Sequence, residues 1–293
     1  MKRHRKEMDV NDIMYGFRKK GCIWMSDHAK DVTTGFSEED QDALYELEDV
    51  SWWFRYRADV IFHMAEKYLS SNKITLDVGG GNGYTTLRMQ EKGYCIALLE
   101  PSFQACKNAK QRGIHTVICG TLTYEDVKEC SVMQFMLLDV LEHIEDDLAF
   151  LKLVKKQICK GGRILITVPA YRILWSSEDD AAGHYRRYTV KELKILAERA
   201  DFRVCYVSYF FSFLFLPILF FRVGLEKIGL LKYSGERTKE EKREIGKKQF
   251  QERKGLIRIM LNMLEKRELH KIMKNQRIHF GSSIICVLEN RKL

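Results

Sequence analysis

The chain has 293 residues, of which 45% are hydrophobic and 30% charged, with only three prolines. That accommodates one α/β domain of about 200 residues plus attachments, and it leaves no material for a proline-rich linker. The formal net charge is +9, but Lys232–Arg277 holds 15 Lys or Arg against 7 Asp or Glu, so the rest of the chain is close to neutral and the excess belongs to one segment.

The N-terminus is basic (Lys2, Arg3, Arg5, Lys6), and no apolar h-region follows, which argues against a secretory signal. The eight cysteines form no C-x-x-C pair. Their scatter over apolar positions argues against a disulfide framework and a zinc site, and for buried thiols in a reducing cytosol. No set of metal ligands is read from the sequence.

Residues 1–36 are weakly patterned and are read as a partly ordered leader. Helix is expected from Glu38, with Ser37 as N-cap, and again over Trp53–Leu69, where Phe54, Ala58, Ile61 and Ala65 recur at helical spacing. Strands and helices then alternate. Strands are expected at Ile74–Val78, Cys95–Leu99, Thr116–Cys119, Met133–Leu138, Arg163–Val168, Arg203–Tyr209 and Ser282–Glu289. Helices are expected at Gly83–Lys92, Phe103–Arg112, Asp146–Cys159 (stopped by Gly161-Gly162) and Val190–Ala200. This alternation predicts a doubly wound, mostly parallel seven-stranded sheet with helices on both faces. The core would comprise residues 37–210 and 282–293, interrupted by a helical insertion over 211–281.

The segment Asp77-Val-Gly79-Gly80-Gly81-Asn82-Gly83 takes an apolar strand into a glycine turn and then a helix. Such a turn lets backbone approach a ligand, and the helix behind it offers free N–H groups. Glu100 ends the next strand, 23 residues after Asp77, where a carboxylate can accept both hydroxyls of a ribose. A dinucleotide fingerprint would need a third glycine where Tyr84 stands. The spacing that fits is D-x-G-x-G-x-G.

That spacing resembles the first motif of class I S-adenosylmethionine-dependent methyltransferases. Leu138-Asp139-Val140-Leu141-Glu142-His143, Gly161-Gly162 through Pro169, Gly183-His184-Tyr185-Arg186-Arg187-Tyr188-Thr189 and Trp52-Trp53-Phe54 resemble further segments of a type 11/12-like subgroup. The resemblance covers about Asp49–Phe210 and the last strand. It implies S-adenosyl-L-methionine as methyl donor in a Rossmann-like fold. Asp77, Gly79, Gly80, Gly81 and Gly83 would form the donor loop, with Glu100 and Pro101 at the ribose. Thr121 and Leu122 would lie at the adenine, where the family's usual acidic residue is missing. Asp139 and Val140 would line the pocket, and Arg57 would neutralise the donor carboxylate or remain a solvated helix-face cation.

Methyl transfer from a sulfonium is an in-line displacement, so holding the reactants supplies much of the rate. His184 is the first candidate base, with Asp139 beside it as a catalytic candidate; the alternative is that His184 and Arg187 organise their loop on its carboxylates. His143 is read as a helix-start residue. Tyr206–Phe221 carries no charge, and its part beyond the strand is too short to span a bilayer. A basic helix with Ile257, Met260, Leu261 and Leu264 on one face follows. The pair is read either as an element of an anionic membrane surface, peripheral on the cytoplasmic side and serving a lipid-linked acceptor, or as a lid over a small-molecule acceptor. Two other functions are weighed: an NAD-type oxidoreductase, and a non-catalytic adenosyl- or nucleic-acid-binding protein. Nucleic acid is disfavoured because no helix-turn-helix or zinc module is present.

Overall fold

The computed structural model describes residues 7–26, 38–126, 128–230 and 255–291. A nine-stranded sheet forms the centre: β1 (Phe17–Lys20), β2 (Ile23–Ser26), β3 (Ile74–Val78), β4 (Cys95–Glu100), β5 (Thr116–Cys119), β6 (Val132–Leu138), β7 (Ile158–Pro169), β8 (Arg203–Phe210) and β9 (Ser283–Glu289). Their order across the sheet is β1-β2-β5-β4-β3-β6-β7-β9-β8. The five contacts from β2 to β7 are parallel. The β1–β2 hairpin and the pairings of β9 with β7 and β8 are antiparallel.

The helices are α1 (Glu38–Val50), α2 (Trp52–Tyr68), α3 (Tyr84–Glu91), α4 (Phe103–Arg112), α5 (Asp147–Gln157), α6 (Ser177–Ala182), α7 (Val190–Arg199) and the C-terminal helix Leu256–Met273. Short helical turns run from Ser212 to Lys227.

Both faces of the sheet are dry, as a parallel sheet requires. Along β6 the side chains alternate: Phe135 and Leu137 join one buried cluster with Leu76, Ala97 and Ile164. Met136 and Leu138 join a second with Ile96, Leu165 and the α2 residues Ile61 and Met64. The sequence reverses direction at β3, with β4 on one side and β6 on the other. The strand ends at such a reversal open the ligand crevice of doubly wound sheets.

Three expectations are corrected. The sheet has nine strands instead of seven, because residues 17–26 of the supposed leader fold back as a hairpin against β5, anchored by the buried Val10, Ile13, Met14 and Phe17. Gly161-Gly162 does not end an element; β7 runs through it, with a register shift against β6 between Val132 and Gln134. The eight cysteines are free thiols, but Cys22 and Cys130 are exposed where burial was expected. Ser37 lies outside the described residues.

Candidate functional site

The glycine turn leaves β3 at its C-terminal end. Gly79 has φ +69° and Gly81 φ +55°, a left-handed conformation that side chains resist. A Cβ on Gly79 would meet Val140 Cγ2 at 2.9 Å, whereas one on Gly81 would meet nothing within 4 Å. Gly81 thus presents bare backbone to open space. The turn closes through Gly83 N–H donating to the Gly80 carbonyl at 3.0 Å, and Gly83, also left-handed, caps α3.

Glu100 lies across from this turn at the end of β4. Its Oε2 accepts from Gly81 N–H at 3.0 Å and its Oε1 from Ser102 N–H at 2.9 Å. Burial pushes this carboxyl up, and the two backbone donors pull it back. Pro101 follows, and its carbonyl accepts from the Cys119 thiol, which fixes the β4 exit against β5. Thr121 is half-buried, and Leu122 packs in the same apolar cluster as Val78 and Val140.

Asp77 does not line the surface: it is 1% exposed. Thr86 Oγ1 donates to its Oδ2 at 2.5 Å, and Oδ1 is buried without a hydrogen-bond partner. Burial pushes its carboxyl up to about 7, against the Thr86 bond and Arg57.

Arg57, from α2, reaches Asp139 instead of solvent. The Nη2–Oδ2 distance is 2.6 Å, and Thr167 Oγ1 donates to the other oxygen at 2.9 Å. Arg57 Nε remains buried and unpartnered. Asp139 itself adopts φ +60° at the end of β6, a conformation that persists when surroundings over-determine it. Arg57 is therefore a buried partner of Asp139, and the solvated-cation alternative is set aside.

The loop after β7 carries His184. Its Nδ1 lies 2.8 Å from Asp179 Oδ1, and Arg187 grips the same carboxylate with Nε at 2.7 Å and Nη2 at 3.0 Å. Asp179 is 1% exposed. Burial alone would raise its carboxyl, but the His184 and Arg187 hydrogen bonds outweigh it and hold the group at about 2. His143 packs edge-on to His184 with ring centroids 4.7 Å apart. Burial, with His184 beside it, pushes His143 down to about 4. His143 is not a helix-start residue: it ends a single 3-10 turn, Leu141–His143, and α5 begins only after its own cap at Asp146.

A depressed carboxyl stabilises the fold above its unfolded value and loses that contribution as pH falls through its folded value. The difference in unfolding free energy between the wild type and Asp179→Asn should therefore be full above pH ~4 and shrink on acidification toward pH ~2, by on the order of 2 kcal/mol. Urea titrations across that window would measure it, and a pH-independent difference would show that Asp179 acts by packing alone.

Three further residues escaped the reading of the sequence. Asn82 is fully buried; its amide donates to the Gln41 carbonyl at 3.2 Å and its Oδ1 accepts from Asn108 at 3.0 Å, tying the glycine turn to α1 and α4. Thr86 and Thr167 hold Asp77 and Asp139. Only generic polar residues mark these positions in the sequence.

The arrangement suits a nucleoside with a charged tail. The Gly81 backbone, the Glu100 carboxylate bonded to it and the Arg57–Asp139 pair lie at the C-terminal ends of the neighbouring strands β3, β4 and β6. The spare acceptor and donor atoms on Asp77 and Arg57 show polar capacity not consumed by the fold.

A family model described as a methyltransferase domain matches residues 52–207, more than half of the chain. No curated protein matches. Phosphoethanolamine N-methyltransferase 2 of Haemonchus contortus, in complex with S-adenosyl-L-methionine, is 14% identical with a TM-score of 0.54, covering 88% of this chain and 58% of that one. The same enzyme with phosphomonomethylethanolamine and S-adenosylhomocysteine gives a TM-score of 0.55 at 14% identity and the same coverage. The chain thus spans little more than half the length of that protein. A SAM-dependent methyltransferase of Archaeoglobus fulgidus is 12% identical with a TM-score of 0.50, covering 80% of this chain and 94% of that one. At such identities the likeness establishes the fold, and the family match settles the choice against an oxidoreductase. The chain belongs to the methyltransferase-domain family.

Proposed function

We propose that this methyltransferase acts on a small or lipid-linked acceptor presented at an anionic membrane surface, with the donor held between the Gly79–Gly83 turn and Glu100. S-adenosylmethionine supplies a methyl group already activated by its sulfonium charge. In this reading the Gly81 backbone and Glu100 fix the nucleoside, Leu122 and Val140 supply the apolar wall at the base, and Arg57 with Asp139 orients the polar tail. His143 and His184 stand on the acceptor side, with Asp179 and Arg187 keeping His184 in place. The chain's main contribution is alignment.

The observation that carries the membrane reading is the run of exposed apolar side chains on the helical turns after β8. Leu216 is 55% exposed, Phe220 62%, Phe221 70% and Leu230 70%, exposed apolar side chains gathered in one short stretch of chain, of the kind that marks an interaction surface. This stretch is fastened to the His184 loop: Glu226 accepts from Ser177 N–H at 3.0 Å and from Ser177 Oγ at 2.7 Å. On the C-terminal helix, Ile259, Met260 and Met263 are also more than half exposed, so they do not pack down as a lid would. Half of the basic segment expected to meet anionic lipid, with nine of its fifteen Lys and Arg, lies outside the described residues. No helix among the described residues is long and apolar enough to cross a membrane, so contact would be interfacial.

Flotation with phosphatidylglycerol vesicles at low salt should carry the protein upward, and Phe220→Ser with Phe221→Ser should reduce the floated fraction several-fold. Protein that stays at the bottom of the gradient in both cases would refute a membrane surface as the place of action. Mass spectrometry of co-purified small molecules would then identify the acceptor directly.

A further inference from the structure

We infer that Glu142, His143 and His184 form a binding site for one divalent cation of the first transition row. The three residues come from two loops, one after β6 and one after β7, which are neighbours in the sheet. Their ligand atoms all lie within 4.8 Å of one another. The loops are stapled together: Tyr185 N–H donates to the Glu142 carbonyl at 2.7 Å, and Tyr188 Oη to the Leu141 carbonyl at 3.2 Å.

The second observation is the state of Glu142. It is 1% exposed, and neither carboxylate oxygen has a hydrogen-bond partner. A buried ionised carboxylate without partners is costly: burial pushes Glu142 up toward the protonated form, and a cation at its oxygens is what would hold it ionised. The nearby cations are taken. Arg57 is committed to Asp139 at 2.6 Å, and Arg187 to Asp179 at 2.7 Å. Both guanidiniums act on Glu142 only through space and neither bonds to it, whereas a divalent ion between it and the two imidazoles would supply the missing contact.

The imidazoles are prepared for the same task. His184 Nδ1 faces the buried Asp179 carboxylate at 2.8 Å, which leaves Nε2 as the ring atom available to an ion. A carboxylate behind a ligating imidazole is the usual way of fixing its tautomer and orientation. His143 packs edge-on against this ring, with centroids 4.7 Å apart. Two imidazoles and one carboxylate suit Zn²⁺, Mn²⁺ or Fe²⁺ better than a hard ion such as Ca²⁺. Ligand atoms at ~2.1 Å from one ion stand roughly 3.4 Å apart, so the side chains need close in by little more than an ångström, within reach of small torsional shifts.

Three protein ligands leave coordination positions open. A cation here would draw an acceptor that offers oxygen, such as a hydroxyl, a catechol or a phosphorylated headgroup; that narrowing rests on the methyl-transfer reading above, whereas the site itself does not. No sequence pattern marks this set, because His143 and His184 stand 41 residues apart and no ligand spacing links them.

The full chain, stripped with chelator and dialysed, would be titrated with Mn²⁺ and with Zn²⁺ by calorimetry, and in parallel with S-adenosylhomocysteine. The expected result is one equivalent of metal per chain, weakened at least about tenfold by Glu142→Gln and by His143→Ala, with homocysteine-nucleoside binding retained in both variants. Pulsed electron paramagnetic resonance of the Mn²⁺-loaded wild type should show nitrogen coupling from imidazole, a readout that does not depend on any variant folding. Absence of stoichiometric metal binding, equal affinity in wild type and variants, or bound Mn²⁺ without nitrogen coupling would each overturn the site. Loss of S-adenosylhomocysteine binding in the wild type would instead count against the donor assignment and leave the cation result standing.

Discussion

Glu100→Ala is expected to weaken S-adenosylhomocysteine binding by roughly 30-fold to 1,000-fold while leaving the fold intact. The carboxylate makes two charge-assisted bonds, to Gly81 N–H at 3.0 Å and Ser102 N–H at 2.9 Å. Each such bond contributes about 1.5–3 kcal/mol to whatever it holds. Without them the Gly81 backbone is no longer set at its left-handed angle by a partner, and an acceptor for the ribose hydroxyls is lost as well. Glu100→Gln should lie between the two, since an amide can accept one N–H but turns a donor toward the other. Calorimetry with the demethylated product is the appropriate measurement, because it reads the nucleoside grip without requiring the acceptor. An affinity for Glu100→Ala within about threefold of wild type would remove Glu100 from the donor site and shift the ribose elsewhere on the strand ends.

Much of the fold around the glycine turn was legible because its signals are local. β3, α4 and β5 have the expected bounds: each is an apolar run or an amphipathic turn closed by glycine or a side-chain cap, such as Ser102 before α4 and Gly113 after it. The β1–β2 hairpin was not legible. In β1 only Phe17 is buried, beside three exposed cationic residues, so no alternation announces a strand; its pairing with the sheet decides its state. Gly161-Gly162 read as a stop because two glycines usually punctuate, yet here they pass a register shift within one strand. The buried polar pairs beyond the glycine turn were legible only as residue types. Arg57 meets Asp139, and His143 meets His184, across sequence gaps that only the adjacency of α2, β6 and β7 closes. A polar residue carries no mark of the partner that a distant element will bring.

The same logic applies at the far end of the molecule, where Glu268→Ala should cost about 3–5 kcal/mol of stability. Glu268 lies on the C-terminal helix and is 4% exposed. Its carboxylate accepts from Tyr56 Oη at 2.7 Å, from Phe211 N–H at 2.6 Å and from Ser212 N–H at 2.7 Å, and also from the Ser212 hydroxyl. One side chain thus satisfies donors on α2 and at the exit of β8, where Phe211 is held at φ +55°. It joins the helix before β9 to the α2 face that also carries Arg57. Alanine would leave these donors buried and unpaired, a larger penalty than the net value of the bonds themselves. For a domain of this size the loss corresponds to a fall in Tm of roughly 8–15 °C. Glu268→Gln keeps the shape and part of the acceptor capacity and should lose about half as much. Thermal unfolding followed by circular dichroism would measure both. A change of less than about 2 °C for the alanine variant would mean that water replaces the carboxylate, and that the aromatic packing of Tyr56 on Phe211 and Phe213 holds the helix without it.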